Sequence, residues 1–198
     1  MKNTLKITGI GVMLLLMVAS TSISATNESM INTTRSPEFL IFGFCFYEDG
    51  FPMDPVEVRI INLDTEVTWT ATIWGNYYTL YIAPGEDFFV DDTLRIIAID
   101  DVEDPQNVGL VDYVVTQEDI YRYYILQYVT THPVQPGDCN FDGMINAFDI
   151  DPFVLGLTDP QGYYSLYCVE NYIACDCNGD ELVNAFDIDP FVQLLTQG

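Results

Sequence analysis

Asn146-Ala-Phe-Asp-Ile-Asp-Pro-Phe-Val154 occurs twice in this chain, the second time unchanged at residues 184–192. A short acidic run precedes each copy: Asp138-Cys-Asn-Phe-Asp-Gly143 before the first, and Asp176-Cys-Asn-Gly-Asp-Glu181 before the second. Oxygen-bearing side chains at alternate positions, followed by an apolar stretch, predict a loop that leads into a helix. Because the whole unit is duplicated, the last third of the chain predicts a small module with two similar halves.

Each half can be aligned with a twelve-residue cation-binding loop, whose positions 1, 3, 5, 7, 9 and 12 supply oxygen ligands. The ligands predicted for the first loop are Asp138, Asn140, Asp142, the carbonyl of Met144, Asn146 and Asp149. Those predicted for the second loop are Asp176, Asn178, Asp180, the carbonyl of Leu182, Asn184 and Asp187. Three carboxylates in a wide oxygen cage favour Ca²⁺ over Mg²⁺ and over thiolate-seeking metals. The sequence therefore predicts two calcium sites.

The two loops differ at position 6, where the backbone turns sharply. Gly143 occupies this position in the first loop and Glu181 in the second. A residue with a side chain must adopt a positive φ there, at a cost of about 1 kcal/mol or more, or distort the turn. We therefore predict that the second calcium site is the weaker one.

A duplicated loop with an exit helix, no convincing entering helix and Asp at position 12 resembles the dockerin module. The resemblance covers residues 137–197. It implies two halves that pack as a pseudo-symmetric pair held by calcium, and a surface that docks onto a cohesin-type domain. The family's recognition positions fall on Ala147-Phe148 and Ala185-Phe186, where many dockerins carry small hydroxyl residues. The resemblance thus implies an altered partner specificity.

Apolar residues after each loop have two alternative roles, as core within the module or as a partner-facing surface. The residues concerned are Phe153, Val154 and Leu157, with Phe191, Val192 and Leu195. We favour core packing, because a module of about sixty residues needs these side chains for its own stability. Pro152 and Pro190 must then lie near the first turn of their helices.

Residues 38–131 consist of short β-rich runs separated by turn residues. They predict about seven strands, at residues 39–47, 56–63, 67–74, 77–82, 93–99, 109–115 and 121–129, with a hairpin turn at Gly75-Asn76. This pattern is typical of a small antiparallel β-sandwich of immunoglobulin-like type. The phrases IFGFCFYEDGFPMDPVEVRIINLDT, WTATIWGNYYTLYI, LRIIAID and DYVVTQEDI resemble carboxypeptidase regulatory-like or transthyretin-like sandwiches. The expected fold is therefore multidomain: an all-β sandwich, then a small α-helical calcium-binding module at residues 137–198. The Pro-rich residues 132–136 are the predicted linker.

Aromatic residues of the β region offer an alternative function, a platform on which sugar rings stack. The candidates are Trp69, Trp74, Tyr77, Tyr78 and Tyr81. Strand alternation places about half of such residues in the core, so the sequence alone does not decide whether a polysaccharide binds there.

The N-terminus has the layout of a secretory signal peptide, with basic Lys2 and Lys6, an apolar run at residues 7–19 and small residues before position 25. An uncleaved anchor is the alternative. We expect cleavage after residues 1–25, an exposed leader at residues 26–37 with sequons at Asn27 and Asn32, and a secreted protein without membrane insertion.

The negative charge of the chain disfavours two classes of partner. Without the signal, the chain has four arginines and thirty acidic residues. A chain with this excess of negative charge repels nucleic acid and anionic membranes. All five cysteines lie outside the signal. Export favours one or two disulfides in the C-terminal module, whereas zinc is disfavoured because Cys175-x-Cys177 lacks the usual two-residue gap.

The leading hypothesis is a secreted, non-catalytic adaptor that binds calcium and a cohesin-like domain. Alternatives are a calcium-stabilised surface or matrix protein without such a partner, or a carbohydrate-binding accessory protein in a polysaccharide context. We do not expect an enzyme, because the single histidine, His132, lies in the predicted linker and acidic pairs such as Asp91-Asp92 are typical of solvated turns.

Overall fold

The computed structural model describes residues 38–82, 88–102 and 105–197. The predicted signal peptide and leader, with the sequons at Asn27 and Asn32, lie outside the described residues. Within these ranges, no helix has the length and apolar character needed to cross a membrane.

The first part of the described chain is a mostly β domain. Its strands are β1 (Phe39–Tyr47), β2 (Glu57–Asn62), β3 (Thr68–Thr70), β4 (Thr72–Trp74), β5 (Tyr77–Ile82), β6 (Thr93–Ile99), β7 (Asn107–Val114) and β8 (Tyr124–Pro133). They form one continuous, barrel-like sheet in the order β3-β2-β6-β7-β8-β1-β5-β4. The expectation of an all-β domain is confirmed.

One ladder departs from the predicted antiparallel arrangement. Strand β8 pairs with β1 in parallel from Leu40↔Tyr124 to Tyr47↔Thr131, whereas its ladder with β7 is antiparallel. The short connection from β7 contains helix α1 (Gln117–Arg122). Strand β8 lies between β7 and β1 and therefore has one antiparallel and one parallel neighbour.

Three predicted boundaries are wrong for local reasons. The run 67–74 is two strands, because β3 pairs with β2 and β4 pairs with β5, on either side of buried Ala71. Residues 121 and 122 are helical, because Thr116 and Asp119 form a capping box that starts α1. Strand β8 extends through His132 to Pro133, so it includes the first two residues of the predicted linker.

Strand alternation builds two cores on opposite faces of the β2–β6–β7 part of the sheet. Ile60 and Ile96 point into the first core, which the β8-β1-β5 part of the sheet covers from the other side. Ile61 and Ile97, one residue later on each strand, point into a second core. Because successive side chains on a strand face opposite ways, this part of the sheet is covered on both faces.

The second core is completed by the C-terminal helices α2 (Ile150–Thr158), α3 (Pro160–Tyr167), α4 (Tyr172–Cys175) and α5 (Ile188–Gln197). Phe141, Phe153, Tyr163 and Phe191 are buried there together with Ile61 and Ile97. The helices therefore share apolar core with the sheet, across the domain boundary predicted near residue 136. Whether the two parts fold independently stays a prediction.

Two arginines of the sheet contact α3. The guanidinium of Arg95 lies 5.2 Å from the ring centroid of Tyr167 and forms two hydrogen bonds of 2.8 Å to Asp112. The guanidinium of Arg59 lies 5.7 Å from the ring centroid of Tyr164 and donates to its hydroxyl at 3.3 Å. These contacts fix the helices on the sheet by charge as well as by apolar packing.

Candidate metal centre

The first predicted loop is closed by hydrogen bonds from its own backbone. Asp138 accepts from the N–H groups of Asp142 at 3.1 Å and Gly143 at 3.0 Å. Asn140 Oδ1 accepts from Asp142 N–H at 3.0 Å, and Asp142 Oδ1 accepts from Met144 N–H at 2.9 Å. Each of these side-chain oxygens thus closes a turn of the loop's own backbone.

The second loop repeats this pattern. Asp176 accepts from the N–H groups of Asp180 at 3.2 Å and Glu181 at 2.7 Å. Asn178 Oδ1 accepts from Asp180 N–H at 2.9 Å, and Asp180 Oδ1 accepts from Leu182 N–H at 3.0 Å. The two loops therefore have matching geometry at corresponding positions despite their different residues.

Position 12 links each loop to the helix that follows. Asp149 Oδ2 accepts from Asn146 N–H at 2.8 Å, and Asp149 Oδ1 accepts from Asn140 N–H at 3.1 Å. Asp187 makes the corresponding bonds to Asn184 and Asn178, at 2.8 and 3.2 Å. Both aspartates are fully buried. They join the start of each loop to its end, through a short 3-10 turn that leads into α2 or α5.

Backbone strain is shared between the loops, contrary to our reasoning from position 6 alone. Glu181 adopts φ 67°, as a residue at this turn must, and Gly143 has φ 84°. Position 4 is left-handed too, and here the glycine is in the second loop: Gly179 has φ 75°, whereas Phe141 has φ 58°. Each loop holds one strained residue with a side chain. That the second site is the weaker one stays a prediction, but strain confined to the second loop no longer supports it.

The β domain explains this exchange of glycines. Phe141 is buried, and its ring centroid lies 6.1 Å from that of Tyr167 in the second core. A Cβ at Gly143 would come within 2.4 Å of His132 Nδ1 on β8. A Cβ at Gly179 would meet nothing within 4 Å. Packing on the sheet therefore determines which residues the first loop carries. Position 6 requires glycine because His132 leaves no room for a Cβ there.

Uncompensated negative charge is concentrated in the first loop. Burial, together with the charge of Asp149, raises the pKa of Asp138 to about 7. Burial also raises the pKa of Asp149. The arginines of the described chain form their ion pairs elsewhere, with Glu57, Asp112 and Glu118. A bound cation would supply the missing positive charge.

The donors predicted for each loop are oxygen atoms of side chains and of one peptide carbonyl. The described residues hold no group of three or more His, Cys, Asp or Glu side chains arranged to hold a metal. Asn side chains and a peptide carbonyl, which such a group leaves out, make up half of each predicted set, but the three aspartates of either loop do not form such a group either. Hard oxygens are the ligands that Ca²⁺ prefers, and no arginine of the described chain forms an ion pair with buried Asp138 or Asp149.

Matching apolar side chains are exposed on both halves. Phe148 and Phe186, the second residues of the predicted recognition pairs, are 77% and 78% exposed. Both lie in the 3-10 turns, next to the buried aspartates at position 12. Sequence reasoning missed the exposed side chains of Met144 and Leu182, of which it used only the carbonyls, and those of Ile150 and Ile188. Val154 and Val192, for which it weighed two roles, are exposed as well.

The two predicted roles of the helix residues are divided between different side chains. Phe153 and Phe191 are buried, whereas Val154 and Val192 are about half exposed. Pro152 is the third residue of α2 and Pro190 the third of α5, so both lie in a first turn, where proline is tolerated.

The predicted aromatic platform is partly wrong. Tyr78 is buried in the first core, where its hydroxyl donates to the carbonyl of Gln127 at 3.0 Å, and Trp69 packs against the same core. Trp74, Tyr77 and Tyr81 lie on the outer face of the β8-β1-β5-β4 part of the sheet. Sequence reasoning missed their neighbours Phe42, Phe44, Tyr124 and Tyr128, which the alternating run FGFCFY and the pattern of β8 could have indicated.

Comparison with known proteins adds little to this geometry. No protein-family model matches the sequence, and no curated protein matches it. A solved structure that matches is the C-terminal fragment of the pilus adhesin SpaC from Lactobacillus rhamnosus GG. The match has 9% identity and a TM-score of 0.26, and it covers 50% of this chain and 47% of that chain. A similarity at this level supports no conclusion about function.

Proposed function

We propose that this protein is a secreted, non-catalytic adaptor whose C-terminal dockerin-like module binds two calcium ions and docks onto a cohesin-type domain. In this proposal the mostly β domain is an immunoglobulin-like or transthyretin-like sandwich that supports the module. The two ligand sets are those aligned above, from Asp138 to Asp149 and from Asp176 to Asp187.

The matched exposure of Phe148 and Phe186 carries the docking proposal. A phenylalanine side chain gains stability from burial, yet both remain about three-quarters exposed on turns fixed by buried aspartates. Exposed apolar patches mark interaction surfaces, and each half of the module exposes further apolar side chains at corresponding positions, Met144 or Leu182, Ile150 or Ile188, and Val154 or Val192. In this proposal calcium binds the same aspartates and stabilises the turns, so a partner that contacts these residues would bind in a calcium-dependent manner.

Docking is tested by passing the full chain over cohesin-type domains, with calcium and with a chelator. We expect calcium-dependent binding that the double substitution Phe148→Ala and Phe186→Ala abolishes. Tyr121→Ala is the matched control, since Tyr121 is equally exposed but lies on α1. Calcium-linked stabilisation without binding to any cohesin-type domain would favour the structural alternative.

A second candidate function is the binding of a neutral polysaccharide by the outer face of the sheet. Four rings cross this face in one row, Trp74–Tyr77–Phe44–Tyr128, with successive centroids 6.3, 5.1 and 6.1 Å apart. The outward positions of β1 are Leu40, Phe42, Phe44 and Phe46. The residues named on this face are uncharged, although the chain has thirty acidic residues. Tyrosine combines an apolar ring with a polar hydroxyl, which suits contact with a neutral sugar.

This candidate is tested by co-sedimentation of the chain with insoluble cellulose and xylan. We expect retention that Trp74→Ala and Tyr128→Ala each reduce and Tyr121→Ala does not. Concentration-dependent dimerisation that the same two substitutions remove, without retention by either polymer, would assign the face to a second copy instead.

A further inference from the structure

The sulfur atoms of Cys139 and Cys175 lie 3.5 Å apart, and both side chains are fully buried. We propose that these two residues form a disulfide that joins the beginnings of the two loops. Sequence reasoning expected disulfides in this module but left their pairing open, and the spatial arrangement selects this pair.

The backbone holds the two cysteines side by side. Gly137 N–H donates to the carbonyl of Ala174 at 2.7 Å, so the residues that lead into the two loops are hydrogen-bonded to each other. Cys139 Sγ also lies 3.7 Å from the carbonyl oxygen of Ala174. A disulfide bond measures about 2.05 Å, so the sulfurs need to approach by about 1.5 Å, which is within reach of side-chain rotation.

Neighbouring residues leave room for the sulfurs. Gly156 lies inside α2, where glycine lowers helix stability. A Cβ at this position would come within 2.7 Å of Cys175 Sγ. The buried hydroxyl of Tyr163 donates to the carbonyl of Cys139 at 2.8 Å and holds the backbone of the other cysteine in place. The glycine therefore has a specific role, to accommodate the sulfur pair.

The other three cysteines are in different positions relative to this pair. Cys45 is buried in the first core, on β1. Cys168 follows α3 and is buried in the second core, and Cys177, in the second loop, is partly exposed and packs against that core. Cys139 and Cys175 are the two described cysteines whose sulfurs are in contact.

The chemistry requires an oxidant that the compartment supplies. Two S–H bonds are broken and one S–S bond is formed, which releases two protons and two electrons. A disulfide-bearing exchange partner accepts the electrons and leaves as a dithiol, through a mixed disulfide with one of the two cysteines. Because both sulfurs are buried in the folded chain, the bond forms while the C-terminal module folds. An oxidising compartment is part of the function proposed above.

The bond would couple the two metal sites. Cys139 directly follows Asp138, and Cys175 directly precedes Asp176, so each sulfur is one residue from the first predicted ligand of a loop. A covalent link between these points restricts both first ligands at once.

Mass spectrometry of the full, unreduced chain, refolded with oxidised and reduced glutathione in the presence of a chelator, tests the bond directly. We expect a mass lower by at least two hydrogen atoms and a linked peptide pair that contains Cys139 and Cys175. Both thiols free under these conditions, or Cys139 linked to Cys177, would overturn the proposal. Because the chelator removes calcium, this result is independent of the calcium proposal.

Thermal unfolding gives a second readout. Reduction should lower the Tm by roughly 10 °C, as expected for a bond that closes a segment of about this length in a chain of this size. The double substitution Cys139→Ser and Cys175→Ser should remove this response to reductant, whereas Cys168→Ser and Cys177→Ser should leave it intact. A response that survives in the first variant would contradict the assignment.

Discussion

Phe153 stacks on Phe191, with ring centroids 4.0 Å apart and ring planes 8° from parallel. These residues are the same position of the two repeats, one on α2 and one on α5. The two copies of the repeat are therefore in contact at this position, in the interior of the module. The exact duplication has a structural reason here, since each copy of the phenylalanine packs on the other.

Phe153→Ala should destabilise the folded chain by about 3–5 kcal/mol, because it removes a buried aromatic ring and leaves a cavity beside Phe191. Val154→Ala, one residue later and half exposed, should change the free energy of unfolding by less than about 1 kcal/mol. Chemical denaturation of both variants measures the difference. Equal effects would show that the stack does not stabilise the module.

Glu181→Gly should stabilise the calcium-bound chain by about 1 kcal/mol, because it relieves the left-handed backbone of an exposed turn. The corresponding change in the first loop, Phe141→Gly, should destabilise the chain, since the buried ring contributes more than the strain it imposes. Urea denaturation in saturating calcium measures both. Stabilisation by Phe141→Gly would refute our account of position 4.

Gly143→Ala should destabilise the chain by more than Gly179→Ala. Both glycines have positive φ, but only the Cβ at residue 143 would collide with the ring of His132. The difference between the two variants measures the contact of the first loop with the β domain. It should disappear when His132 is replaced by alanine in both; persistence of the difference would contradict this contact.

Truncation after Pro136 should expose Ile61, Ile97, Ile99 and Val108, which the C-terminal helices bury in the full chain. An apolar patch of this kind promotes association. We expect the truncated protein to bind a hydrophobic dye and to self-associate in sedimentation experiments, in contrast to the full chain. A monomeric truncated protein that does not bind the dye would support an independent domain that ends near residue 136.

Much of the architecture was readable from the sequence because it depends on local pattern. Alternation in residues 39–47 indicated β1, and the Gly75-Asn76 turn indicated the hairpin of β4 and β5. The capping residues Asn146 and Asn184 were recognised as loop residues from the repeat alone. Their structural environment agrees with that reading, since both cap 3-10 turns.

Features that depend on distant contacts were not readable. The parallel β1–β8 ladder joins segments about eighty residues apart, and no local pattern records it. The left-handed Phe141 is stabilised by burial beside Tyr167, so an alignment of loop positions found strain only at Glu181. The second core forms because the helices cover Ile61 and Ile97. In the sequence, these two residues belong to apolar runs that do not show which element covers them.

Calorimetry of the full chain with and without calcium tests the central claim most directly. A ligand that binds only the folded form must stabilise it, by about 2.7 kcal/mol for one site when the ligand is at one hundred times its Kd. We predict a rise in Tm with calcium that Asp142→Asn and Asp180→Asn each reduce, and a titration with two ions per chain that falls to one in either variant. An unchanged Tm at millimolar calcium would contradict the account.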